Sequence, residues 1–84
     1  LQDYEEQVST VRWINTEKKR YYSVRLEQDL LGDWILVTCW GGLGSWLGGM
    51  RIKPVDSAEA GVLEIKRIGK RRRQHGYDAV PQST

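Results

Sequence analysis

The 84-residue sequence predicts an α+β domain: a twisted, mainly antiparallel sheet of about four to six strands, with one C-terminal helix packed on one face. Three observations predict it. Tyr22, Val24 and Leu26 alternate with Ser23, Arg25 and Glu27, the period-two pattern of a half-buried strand. Trp34 to Trp40 is a nearly unbroken apolar run, which suits a strand buried on both faces and placed centrally. After Pro54 the period changes: Ala58, Gly61, Val62, Ile65, Ile68 and Gly69 recur at three- and four-residue steps and form one helical stripe. Strands followed by a single amphipathic helix make an α+β domain.

Each element follows from local chemistry. Residues 9–15 are β-prone, and the polar stretch from Thr16 to Arg20 reads as a turn. Residues 21–28 form the alternating strand. Asp29-Leu30-Leu31-Gly32-Asp33 connects it to the next as a hairpin, with Gly32 available for positive φ. Residues 41–49 hold five glycines interleaved with Leu43, Trp46 and Leu47, so a shaped loop is expected, with a short strand around Leu43. Met50 to Val55 is a further strand, which Pro54 confines to an edge or a strand end. Asp56 is the expected helix cap, with Glu59 three residues on as in a capping box. Gly61 and Gly69 each cost about 1 kcal/mol of helix propensity, and close approach of the helix to bulky sheet aromatics is the expected return. Gly76 should end the helix, with Lys70, Arg71, Arg72 and Arg73 near the end that favours cations. Trp34, Ile35, Val37, Val62 and Ile65 are expected in the core. Residues 1–8 are expected to be a flexible N-terminal segment, 9–78 a single domain, and 79–84 a frayed tail.

Composition narrows the function classes. A single Cys excludes an intrachain disulfide, which points to a reducing, cytoplasmic setting. One Cys and one His do not supply a tetrahedral zinc site. No apolar run reaches the roughly 20 residues of a membrane span, and the acidic start (Asp3, Glu5, Glu6) is the opposite of a signal peptide's basic one. No membrane partner and no cofactor are expected, and the chain is expected to act as a monomer. The net charge of +2 hides an asymmetry. Residues 1–56 carry seven Lys/Arg and eight Asp/Glu, whereas residues 57–84 carry six and three. Basic charge concentrated after Pro54 suits phosphate groups or anionic surfaces.

No catalytic constellation is present. His75 stands alone in the basic tail, Cys39 lies in the apolar strand and reads as a buried thiol, and Asp29 and Asp33 flank a turn as turn chemistry alone requires. The glycine loop lacks a following helix and a Walker lysine, so it is not a nucleotide P-loop. The chemistry that remains is binding. Trp40, at a strand end, either stacks on a ligand or packs beneath the glycine loop. Trp46, at the loop tip, is either an exposed anchor or folded back onto its loop. Arg51, Lys53, Lys66, Lys70, Arg71, Arg72 and Arg73 are candidate phosphate contacts. Residues 66, 70 and 73 share one side of the helix, and 67 and 71 another.

The ordered series Tyr21-Tyr22-Ser23-Val24-Arg25-Leu26, Gly32-Asp33-Trp34-Ile35-Leu36-Val37, Trp40-Gly41-Gly42-Leu43-Gly44 and Arg71-Arg72-Arg73-Gln74-His75-Gly76-Tyr77 resembles a WGR domain over roughly Val11 to Tyr77. The likeness is greatest to short free-standing bacterial members of that family. The resemblance implies a small antiparallel sheet with one helix, and a role in binding DNA ends, as in poly(ADP-ribose) polymerases. It carries Trp40 over as a ligand contact. Gly42 stands where the family has an Arg, so one guanidinium is missing, with Arg51 and Lys53 nearby as sources of charge. The expected function is non-catalytic binding of DNA at ends, nicks or gaps, with RNA a weaker option. The competing expectation is a protein-interaction module that uses the sheet face and the Trp46 loop.

Overall fold

The computed structural model describes residues 10–81; the expected flexible segment 1–8 lies outside the described residues. Five strands and one helix run in the order β1 (Thr10–Asn15), β2 (Arg20–Gln28), β3 (Trp34–Gly42), β4 (Gly48–Pro54), α1 (Ala58–Gln74) and β5 (Asp78–Val80). The strands form one sheet in the order β4-β3-β2-β1-β5, every pairing antiparallel. The α+β class is therefore as the sequence predicts. β2 takes the middle position and β3 lies next to the edge, although Leu36, Val37 and Thr38 are buried in succession on both faces.

Strand register sorts the side chains. Trp13, Tyr22 and Trp40 are cross-strand neighbours, as are Val11, Val24, Thr38 and Arg51; these rows share the face that α1 covers. The core is Trp13, Val24, Leu26, Leu36 and Ile65, with Val11, Tyr22, Trp34, Val55, Ala58, Ile68 and Tyr77 packed against it. Of the two helix glycines, Gly69 meets a sheet aromatic as expected, since a Cβ there would lie 3.2 Å from Trp13 Cζ2, whereas a Cβ at Gly61 would collide with the aliphatic side chain of Leu26 instead. The helix descends onto the sheet at both points.

Several expectations are corrected. The helix cap is Ser57, whose Oγ accepts from Ala60 N at 3.0 Å. The cap sits one residue later than expected, so Glu59 is no longer three positions past it and no capping box forms. Val62 is exposed: it lies about 100° around the helix from Gly61, at the flank of the stripe rather than its centre. Trp34 and Ile35 are only half-buried, since Trp34 lies at the start of β3 and Ile35 points to the face without a helix. Cys39 is likewise half-buried, opposite Ser23 and Met50 on that open face. No strand forms around Leu43; β4 starts at Gly48 instead. Ala79 and Val80, expected to fray, pair with Trp13 and Arg12 as part of β5, because the helix end returns the chain along the free side of β1.

Candidate nucleic-acid interface

The end of α1 is built by local rules and sets up the site. His75 is the cap residue and Gly76 follows at φ +89°. Gly76 N donates to Arg73 O at 3.1 Å and Tyr77 N donates to Arg72 O at 2.9 Å, the paired bonds of a Schellman motif. The motif turns Tyr77 back onto the helix. The Arg72 guanidinium then lies 4.4 Å from the centre of the Tyr22 ring and 5.2 Å from that of Tyr77. Buried Asn15 clamps this corner: its Nδ2 donates to His75 O at 3.2 Å, and its Oδ1 accepts from Lys18 N at 2.9 Å in the β1–β2 turn.

Beyond the reach of the helix, the same sheet face carries Trp40. A Cβ at Gly49 would fall onto the indole, so the ring lies down over the edge strand rather than standing on it. Trp40 and Tyr22 are nearly parallel, with centroids 6.5 Å apart and planes 23° apart, and Arg51 lies 5.9 Å from the Trp40 ring centre. Together these groups line a cavity of about 280 Å³ formed by Arg20, Tyr21, Tyr22, Trp40, Gly41, Arg51, Arg72 and Tyr77. No described carboxylate lines it. Among the described residues, Arg20, Arg51 and Arg72 make no salt bridge, and Arg72 Nε is buried without a hydrogen-bond partner. A buried unpaired donor costs roughly 1–3 kcal/mol, and contact of a cation with two aromatic rings offsets part of it. The cavity continues into a groove between α1 and β4 that adds Lys53, Glu64 and Arg71. Glu64 is the acid there, bridging Lys53 at 3.7 Å and Arg67 at 3.3 Å.

The structure thus brings Trp40, Arg51, Lys53, Arg71 and Arg72 onto one surface. It does not bring the other candidates to the cavity. Trp46 is 92% exposed on its loop, held by Ser45 N donating to Gly42 O and by Leu47 N donating to Ser45 Oγ. Lys70 lines another recess along the helix, with Gln74 and His75, that does not include the aromatic rings, and Arg73 is exposed and lines neither the cavity nor the groove. Sequence reading missed Arg20, Tyr22 and Tyr77. Arg20, expected in a turn, is the first residue of β2 and pairs with Gly42. Strand alternation backwards from Tyr22 would have set it on the Trp40 face. The Gly76-Tyr77 pair was a readable signal for the returning aromatic.

These features define a class: a small α+β binding domain with an aromatic floor ringed by guanidinium groups that make no salt bridge among the described residues. The family profile described as the WGR domain matches residues 5–84, and the chain belongs to the WGR family. WGR domains are nucleic-acid-binding, non-catalytic modules of poly(ADP-ribose) polymerases. No curated protein and no solved structure matches the chain. Among the described residues, no helix is long and apolar enough to cross a membrane.

Proposed function

We propose that this chain is a non-catalytic DNA-binding module that receives an end, nick or gap in the cavity floored by Tyr22 and Trp40. The observation that carries this is the convergence of Arg20, Arg51 and Arg72, none in a salt bridge among the described residues, around two near-parallel aromatic rings. Guanidinium groups bind phosphate bidentately, and an aromatic face engages an unstacked base at roughly 1–3 kcal/mol. An intact duplex offers phosphates but no free base face, so the combination favours interrupted DNA. Lys53 and Arg71 in the adjoining groove extend the phosphate track away from the cavity. Such contacts position a strand without reading its sequence.

The deciding experiment is a titration of the protein against blunt, nicked, gapped, single-stranded and closed-circular DNA at two salt concentrations, with RNA of matched sequence alongside. Interrupted DNA should bind more tightly than closed duplex, and affinity should fall steeply with salt. Arg20→Ala or Arg51→Ala should each lower the magnitude of the log–log salt slope by roughly 0.7–0.9. Absence of salt-sensitive binding to every DNA form would sink the reading.

A further inference from the structure

The β4 edge has a chemistry that the cavity does not use. β4 ends the sheet order, and among the described residues no strand pairs with its outer side, so one row of its backbone N–H and C=O groups is open. Natural edge strands are usually short or blocked by charge and proline. Here the edge runs seven residues, with Pro54 only at its end and its charges, Arg51 and Lys53, confined to one face. Its side chains divide cleanly by face. Met50 and Ile52 are opposite Cys39 and Val37 on the face away from the helix, and are 63% and 56% exposed. Arg51 and Lys53 are opposite Thr38 and Leu36 on the helix face. Trp46 and Leu47, both exposed, lead into the strand.

We infer that β4 is a docking edge for an extended protein segment that is apolar on one face and acidic on the other. Strand addition satisfies the open backbone row, while alternate side chains choose the partner. Directly opposed residues in an antiparallel pair share a face. The incoming strand must therefore set apolar residues against Met50 and Ile52, and carboxylates against Arg51 and Lys53. Charge also argues against a second copy of this chain in the registers that would bring Met50 and Ile52 of the two copies together. Self-pairing centred on Arg51 opposes two arginines, and pairing centred on Ile52 opposes Arg51 to Lys53, both destabilising. The surface is independent of DNA binding except at Arg51 and Lys53, which serve both.

The test uses the whole protein and a synthetic peptide of alternating Glu and Val or Ile residues, followed by fluorescence anisotropy and by amide hydrogen exchange. The alternating peptide should bind with a dissociation constant of roughly 100 µM, and protection should rise at β4 amides. Ile52→Glu and Met50→Glu, both at exposed positions, should each weaken it about tenfold or more. So should N-methylation of alternate peptide amides. Equal binding by a scrambled peptide of the same composition would reduce the effect to charge attraction and overturn the inference. So would protection that appears elsewhere, or no binding at about 1 mM. Dimerisation of the protein alone that Ile52→Glu abolishes would assign the edge to a second copy, and overturn it too.

Discussion

Trp13 and Trp40 occupy the same face of the sheet and flank the same residue, Tyr22, on neighbouring strands. Their ring centroids are 6.1 Å and 6.5 Å from that of Tyr22. Their fates differ. Trp13 is 2% exposed, whereas Trp40 is half-buried and lines a cavity. In each case a glycine backbone meets the indole, but from opposite sides. Gly69 lowers the helix onto Trp13 as a roof, and Gly49 lets Trp40 lie on the sheet as a floor. The roofed ring joins the core. The floored ring keeps a surface for a ligand. A tryptophan's role here is decided by which neighbour gives up its side chain.

That comparison can be broken in measurable steps. Trp13→Ala should have the largest effect, a loss of about 3–5 kcal/mol in denaturant titration; a loss near that of an exposed position would deny it the core. Next is Ile65→Ala, at about 2–5 kcal/mol, since Ile65 is the one large apolar helix residue buried against the core. Trp40→Ala should lower stability less than Trp13→Ala, while losing roughly 1–3 kcal/mol of binding to end-bearing DNA. If Trp40→Ala unfolds the protein yet spares binding in the folded fraction, the floor is a core residue after all.

The smaller effects sharpen the site. A Cβ at Gly42 meets only ordinary contacts, 3.6 Å to Ser45 Cβ and 3.8 Å to Lys19 O, and residue 42 is on the same face as Trp40 and pairs with Arg20. Gly42→Arg should therefore change stability by less than about 0.5 kcal/mol. It should strengthen DNA binding and raise the salt slope by roughly 0.7–0.9. Unchanged binding would mean that this corner does not face phosphate. Trp46→Ala should leave stability within about 0.5 kcal/mol. If it costs as much DNA affinity as Trp40→Ala, the platform extends to the loop.

Much of the architecture was legible because it depends on local periodicity. The alternation through Tyr22, Val24 and Leu26 places all three on the helix face, and the Gly61/Ile65/Gly69 spacing marks the buried helix stripe. Gly76 ends α1 where a positive φ is needed. Val62 escaped because a stripe read from sequence has no fixed centre. Burial at its margin depends on how the helix rolls against the sheet, and that roll is set by Leu26 and Trp13 fitting under glycines far away in sequence.

The candidate site divides the same way. Residue types, the basic bias after Pro54 and the Trp40 strand end could be read directly, since charge and aromatic content do not depend on folding. Their assembly could not. Arg20 reaches Trp40 only through the β2–β3 register, and Arg51 through the β3–β4 register. Arg72 reaches Tyr22 only because α1 crosses the sheet and Asn15 holds its last turn. By itself the sequence determined strands β1 to β4 and the helix, though not β5, because hydrophobic period and turn chemistry act between near neighbours. Tertiary structure alone decided which of seven candidate cations stand beside an aromatic face, because that choice is made by register and helix placement between residues tens of positions apart.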